Sequence, residues 1–113
     1  MKKNRAESRV RKHLIDAGFT LSKQRDERHE GVDIVAMKGG EVLLIEVKKA
    51  NLHNRAWQVD AVSKKQSIVS NTIAIVTPNG VVLQPMKEHL RLCASNGMRY
   101  VTELVKMIKV LVA

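Results

Sequence analysis

Two acids and a lysine lie in segments of the chain that are otherwise apolar. Asp33 lies within residues 32–37, whose other members are Val, Ile, Ala and Met, and Glu46 and Lys48 lie within residues 42–50, which are mostly Val, Leu and Ile. A carboxylate in such a segment is unfavourable unless it is protonated or a cation lies beside it. Since Glu46 and Lys48 are two residues apart, a strand would project both side chains from one face.

The turn between these two segments predicts how the acids meet. Gly39-Gly40 supplies the positive φ angles that a two-residue hairpin loop needs. In that register Lys38 pairs with Glu41, and Asp33 lies directly opposite Glu46. Opposed like charges destabilise a sheet, whereas a hard divalent cation satisfies both carboxylates. We therefore expect a Mg²⁺ site at this pair, with Lys48 directed at a phosphate or an attacking water. The alternative is a surface-exposed acid pair beside a solvated lysine.

The periodicity of the rest of the chain predicts an α/β fold. A helix is expected over residues 3–17, then a short edge strand at Phe19–Leu21 and the hairpin strands Val32–Met37 and Val42–Ala50. A second helix is expected at 57–70, a buried strand at Ile73–Val76, a helix at 85–95, a strand at Met98–Val101 and a helix from Thr102 to Leu111. This order predicts one domain, residues 1–113, with a mixed central sheet flanked by helices.

Asp33 followed by Glu46-Val47-Lys48 on a glycine-turned hairpin resembles the signature of the PD-(D/E)XK nuclease superfamily. The α-β-β-β-α-β core of that restriction-endonuclease-like fold corresponds to residues 5–77, and the remaining α-β-α elements form a C-terminal extension. Val32 stands where the superfamily name has Pro, a departure that many members share. The resemblance implies a divalent-metal-dependent phosphodiester hydrolase acting on DNA, with a homodimer as one form of the active protein.

Three types of small nuclease domain within the superfamily are similar to this chain. Archaeal-type Holliday junction resolvases share Glu7-Ser8-Arg9-Val10, Gly18-Phe19, Gly31-Val32-Asp33 and Ile45-Glu46-Val47-Lys48. Mrr-type restriction domains are similar at Ala74-Ile75-Val76-Thr77-Pro78 and at Glu103-Leu104-Val105. Virus-type replication-repair nucleases share the central motif and a following glutamine. The resolvase type is the sharper hypothesis, and the other two are alternatives.

The resemblance also implies individual roles. Asp33 and Glu46 would be ligands of Mg²⁺ or Mn²⁺, the backbone carbonyl of Val47 would add a third, and Lys48 would orient or activate the attacking water. A first-helix Glu approaches the metal in resolvase-like proteins, which would be Glu7 here; an acid that complements the helix dipole is the alternative.

A glutamine on the inward side of the second helix is a further polar group that such nucleases commonly carry. Gln58 is preferred for this position over Gln66, because both fall on the apolar stripe expected for the 57–70 helix and Gln58 follows Lys48 by ten residues. A hydrogen-bonded structural amide is the alternative reading of either side chain.

Charge indicates the partner. The 113 residues include 20 Lys and Arg against 11 Asp and Glu, a formal charge of +9, which favours a polyanion. No apolar stretch reaches the ~18 residues of a membrane helix, and no signal segment follows the basic N-terminus. We therefore expect a cytoplasmic protein that binds DNA and no membrane. The basic side chains expected to contact the DNA backbone are Arg5, Arg9, Lys49, Arg55, Lys64 and Lys65.

Together these features predict a small, structure-selective endodeoxyribonuclease. Because so short a chain leaves little beyond a catalytic core, specificity would come from DNA shape, from dimerisation or from a partner protein. A catalytically inactive DNA-binding module of the same fold is the alternative from a different class, and RNA is not excluded as the nucleic acid.

Overall fold

The computed structural model describes residues 5–22, 31–53 and 56–95. The elements follow the order α1 (Arg5–Asp16), β1 (Thr20–Leu21), β2 (Ile34–Lys38), β3 (Glu41–His53), β4 (Ala56–Val59), α2 (Lys64–Val69), β5 (Thr72–Thr77), β6 (Gly80–Pro85) and α3 (Met86–Ser95). The predicted strand at 98–101, the helix from 102 to 111 and most of the charged loop at 22–31 lie outside the described residues.

The strands form one open, mixed sheet of six strands. Its main order is β1-β2-β3-β5-β6, and β4 pairs with the distal part of β3. β3 and β5 are parallel, with Glu46 opposite Ile73 and Lys48 opposite Ile75, whereas the other pairs are antiparallel. The predicted α/β class with a mixed central sheet is therefore confirmed.

The first helix forms where the apolar spacing predicts it. Val10 and Leu14, one turn apart, are fully buried, and Gly18 ends the helix with φ +91°. That left-handed conformation favours glycine, because a Cβ there would crowd the backbone. The chain then enters β1, the short strand at the edge of the sheet, as expected.

The hairpin register also agrees with the prediction. Gly39 and Gly40 have φ +55° and +83°, and Lys38 pairs with Glu41, continuing to Ile34 opposite Ile45. Two adjacent residues of positive φ suit a primed turn, whose twist matches that of the strands. The ladder, however, ends at Ile34, so Asp33 lies one residue before β2 rather than within a strand.

Alternation along β3 divides the sheet into two faces, each covered by a helix. The face that contacts α1, here called the α1 face, includes Ile45 and Ala74 and packs on Val10 and Leu14. The opposite face, here called the α3 face, includes Ala50, Ile73 and Ile75 and packs on Met86 of α3. Helices therefore cover both faces of the sheet, as the element order predicts.

The prediction of a helix over 57–70 was wrong in its first half. Residues 56–59 form β4, which extends the sheet by pairing Ala50 with Val59 and Asn51 with Gln58. The helix is confined to Lys64–Val69, where Ser63 accepts from the Gln66 N–H and the Gln66 side chain accepts from the Ser63 N–H. Such a capping box marks a helix start, so no helix precedes Ser63 here.

Strand β6 is a further difference from the prediction. The sequence predicts no strand between Ile73–Val76 and the helix at 85–95, but Gly80–Pro85 returns antiparallel along β5. Pro85 then precedes α3, whose expected bounds of 85–95 agree with Met86–Ser95. Among the described residues, no helix has both the length and the apolar character required to cross a membrane.

Candidate functional site

Asp33 is held against β3 by backbone contacts. Its N–H donates to the Ile45 carbonyl at 3.1 Å, and its carboxylate Oδ2 accepts from the Val47 N–H at 2.8 Å. The side chain is half-buried. Because the carboxylate is bonded to the residue that follows Glu46, it lies beside Glu46 even though the β2–β3 ladder has already ended. The predicted meeting of the two acids is thus achieved by a side-chain contact to β3 rather than by a cross-strand pair.

Glu46 is buried, with 3% of its surface exposed. It lies between Ile45 and Val47 of the α1 face, so alternation directs it to the α3 face. The pKa of its carboxyl group is raised to about 7, chiefly by burial and then by the charge and hydrogen bond of Asp33. Lys48 opposes that rise of the pKa, and the negative charge of Glu7 adds to it. Two carboxyl groups therefore share a desolvated position where full ionisation is unfavourable without a cation.

Lys48 projects to the same face as Glu46. It is half-buried and lies opposite Ile75 in the parallel pairing with β5. Its charge lowers the pKa of Glu46, as noted, and also lowers that of His89 on α3, for which burial is the larger cause. The charge of Lys48 thus acts both on the acid pair and on α3, and it can offset negative charge at the acids.

Glu7 reaches the acid pair from the first helix. It lies in the first turn of α1 and is half-buried, and its charge contributes to the raised pKa of Glu46. The structure therefore brings the predicted residues Glu7, Asp33, Glu46 and Lys48 to one region. In the part of the chain that the structure describes, no three His, Cys, Asp or Glu side chains are arranged to hold a metal ion. The candidate ligands are accordingly the pair Asp33 and Glu46, and Glu7 acts on Glu46 through its charge.

The two glutamines do not lie on the inward side of a 57–70 helix beside the acid pair, as predicted. Gln58 lies on β4 opposite Asn51, and alternation along β3 puts Asn51 on the other face from Lys48. The helical spacing that favoured Gln58 is absent, because residues 56–59 are a strand. The side-chain oxygen of Gln66 is bonded to the Ser63 N–H at 3.0 Å, which makes it a helix-capping amide. Gln66 is thus the hydrogen-bonded structural amide that was the alternative to a site residue.

The predicted DNA-contacting residues occupy several surfaces. Arg9 on α1 and Lys49 on β3 are exposed and line one cavity of about 320 Å³. Arg5 is exposed at the start of α1, and Lys64 and Lys65 are exposed at the start of α2. Arg55 lies outside the described residues. Of this set, the described structure brings Arg9 and Lys49 to a common cavity.

One polar pair near the site was not predicted to be functional. His89 is fully buried on α3, its Nε2 lies 3.4 Å from Sγ of Cys93, and its Nδ1 has no hydrogen-bond partner among the described residues. Cys93 is also buried, and burial raises the pKa of its thiol. The four-residue spacing on a helix was the available signal, but only the fold brings His89 near Lys48.

Comparisons with known proteins do not extend this description. No family model matches the chain, and no curated protein matches it either.

Proposed function

We propose that the protein is a divalent-metal-dependent endodeoxyribonuclease that hydrolyses DNA phosphodiester bonds. The observation that carries the proposal is the contact of the Asp33 and Glu46 carboxyl groups at the end of the β2–β3 hairpin opposite its turn. Asp33 is tied to the Val47 N–H beside the buried Glu46, and Lys48 lies on the same face as Glu46. A formal charge of +9 supplies the surface that a polyanionic substrate requires.

The donor set fits a hard divalent cation. Carboxylate oxygens are the protein ligands that Mg²⁺ prefers, and one or two of them with several waters complete its coordination. Glu46 lies where burial and Asp33 both oppose its ionisation, so a cation there would remove an unfavourable interaction. Asp33 and Glu46 would hold the ion, and the Val47 carbonyl is the third ligand that the PD-(D/E)XK resemblance implies. When bound, Mg²⁺ or Mn²⁺ supplies Lewis-acid stabilisation and a more acidic water.

The chain's own residues would then contribute positioning and charge. The Val47 N–H fixes the Asp33 carboxylate, and strand pairing with β5 fixes the backbone of Glu46 and Lys48. The Lys48 ammonium offsets the negative charge that develops on the phosphate and orients the attacking water. Glu7 in the first turn of α1, whose charge acts on Glu46, can accept a proton or hold a water in the same region.

Within this class we propose selectivity for DNA structure, as in the Holliday junction resolvases that the motifs resemble. Recognition of DNA shape, a second copy of the chain or a partner protein would provide the specificity. Mrr-like and virus-type replication-repair nucleases are the enzymatic alternatives.

Cleavage of defined substrates tests the proposal. Plasmid, linear duplex, flap and four-way-junction DNA would be incubated with Mg²⁺, Mn²⁺ or EDTA. The wild-type protein should cleave only with metal, and Asp33→Asn, Glu46→Gln and Lys48→Met should each slow cleavage by at least about 10²-fold. Asp60→Asn and Lys87→Met remove the same charges at exposed positions and should retain activity.

The outcomes separate the alternatives. Cleavage in EDTA, or equal cleavage by the Asp33→Asn variant, contradicts the metal-dependent mechanism. Preference for the four-way junction supports the resolvase type, and preference for linear or flap DNA supports the other two nuclease types. Metal-independent DNA binding without any cleavage by the wild type would instead identify an inactive DNA-binding module.

A further inference from the structure

A pair of basic side chains, Arg9 and Lys49, lies on the other face of β3 from the acid pair. Lys49 follows Lys48 directly, so alternation directs the two ammonium groups to opposite faces of the sheet. Lys49 shares with Arg9 of α1 the cavity of about 320 Å³ noted above, which Asn51 and Pro78 also line. The cavity therefore lies between the first helix and the distal ends of the parallel strands β3 and β5.

The lining of this cavity is positively charged and carries no acid. Arg9 and Lys49 contribute two formal charges, and no Asp or Glu is among the lining residues. In the described ranges, neither side chain takes part in an ion pair or hydrogen bond. By contrast, Lys12 on the same helix pairs with Asp16, and Arg91 on α3 pairs with Glu88. Two cations that converge without an anion form a position suited to one.

The donor groups that line the cavity indicate that a phosphate fits there. Arg presents a planar fork of donors to phosphate oxygens, Lys adds a compact charge, and the Asn51 amide can donate as well. Lys49 is three residues beyond Glu46, and a strand rises about 3.3 Å per residue, so about 10 Å of β3 separates the two positions. With one charge per 3.4 Å of axis on each DNA strand, this separation corresponds to a few nucleotides.

We propose that the Arg9–Lys49 cavity binds a backbone phosphate of the DNA substrate other than the phosphate that is cleaved. The inference rests on the proposed nuclease function for the identity of the substrate, but it makes a separate claim about binding. DNA would contact both faces of the sheet near residues 46–51 of β3. The scissile phosphate would lie at Asp33, Glu46 and Lys48, and the second phosphate at the Arg9–Lys49 cavity. The cavity would therefore contribute to DNA affinity and register and not to the chemical step.

Binding without cleavage tests this proposal. Fluorescence anisotropy of a labelled DNA duplex and a labelled four-way junction would be measured in EDTA over a series of salt concentrations. The Arg9→Gln/Lys49→Gln variant should reduce the slope of log affinity against log salt by about 1.8, since each neutralised phosphate contributes about 0.9. Its affinity at 100 mM salt should fall by about 10-fold or more.

A matched variant controls for loss of charge alone. Arg91→Gln/Lys87→Gln removes one Arg and one Lys from exposed positions on α3 and should leave the salt slope within about 0.5 of the wild type. Thermal unfolding of both variants checks that the fold is retained. Equal slopes for the two double variants, or no DNA binding by the wild type, would overturn the proposal.

Cleavage measurements distinguish this proposal from the proposed function. At saturating DNA, single-turnover cleavage by Arg9→Gln/Lys49→Gln should stay within about 3-fold of the wild type, and a loss as large as that of Asp33→Asn would contradict a binding-only role. Asp33→Asn could cleave normally while Arg9→Gln/Lys49→Gln shows the reduced slope of log affinity against log salt. That result would contradict the proposed nuclease mechanism and support phosphate binding in the cavity.

Discussion

The two faces of β3 differ in what they bury. On the α1 face, Ile45 and Val47 pack against Val10 and Leu14 in a layer of apolar side chains. On the α3 face, the same strand places Glu46 and Lys48 beside Ile73 and Ile75, and α3 adds the buried His89. Apolar packing stabilises the folded chain, whereas a buried ionisable group lowers stability unless it is neutral or paired.

This contrast indicates that one face of β3 stabilises the fold and that the other face carries the candidate site. The apolar side chains of the α1 face join the first helix to the sheet. The α3 face accepts polar groups that weaken the fold, which is expected where a site must hold charge out of water. Asp33 meets the buried Glu46 from beyond the end of β2, and the charge of Glu7 on α1 also acts on Glu46.

The largest effect on stability is expected on the α1 face. Leu14→Ala removes a fully buried side chain and should lower the free energy of unfolding by about 2–5 kcal/mol. The neighbouring Ile15 is 59% exposed, so Ile15→Ala should change it by less than about 0.5 kcal/mol. Urea denaturation measures both. Equal losses for the two variants would contradict the assignment of the α1 face as the stabilising layer.

On the α3 face, Glu46 should make stability depend on pH in the absence of metal. Its folded pKa of about 7 exceeds the ordinary value of 4.5, so between these pH values the folded state binds a proton that the unfolded state has released. The free energy of unfolding should therefore fall as pH rises from 4.5 to 7, by up to about 1.4 kcal/mol per pH unit. Denaturation in EDTA at a series of pH values measures this slope.

Glu46→Gln mimics the protonated side chain and should remove that decline. Glu41→Gln, at an exposed position at the start of the same strand, should retain the wild-type slope. Above pH 7, added Mg²⁺ should stabilise the wild type and leave Glu46→Gln unchanged. Equal slopes for the wild type and Glu46→Gln in EDTA would show that Glu46 is not held as described.

A smaller effect of opposite sign is expected from His89. Burial lowers the pKa of this imidazole below its ordinary 6.5, and Lys48 lowers it further, so below pH 6.5 the unfolded state binds the additional proton. Its contribution should make the free energy of unfolding fall as pH decreases below 6.5, by less than about 1.4 kcal/mol per pH unit. Because Glu46 acts in the opposite direction over the same range, the effect is best measured in the Glu46→Gln background. There His89→Asn should flatten the acid limb and the exposed His13→Gln should not. Unchanged slopes for His89→Asn would contradict its neutral, buried state.

The hairpin and the first helix could be predicted because neighbours in sequence specify them. Gly39 and Gly40 select the turn, and the turn sets the register that brings the Asp33 and Glu46 segments together. The spacing of Val10 and Leu14 likewise predicts which side of α1 is buried.

Residues 56–59 and 80–85 could not be predicted in the same way. Val59 and Val62 fit a helical stripe as well as a strand, and pairing with β3, a tertiary contact, decides for the strand at Val59. In β6, three apolar residues between Gly80 and Gln84 form too short a pattern to identify a strand, and β5 supplies the partner that makes them one. Short segments of ambiguous period take their structure from what they pair with.

The sequence alone determined that two acids would meet beside a lysine, because turn chemistry and the two-residue period of a strand are local. It also determined the strongly basic charge. Tertiary structure decided that Glu46 is buried, that the charge of Lys48 acts on His89 of α3, and that Arg9 and Lys49 line one cavity. Those outcomes depend on the parallel pairing of β3 with β5 and on helices packed from distant parts of the chain, where long-range burial outweighs local preference.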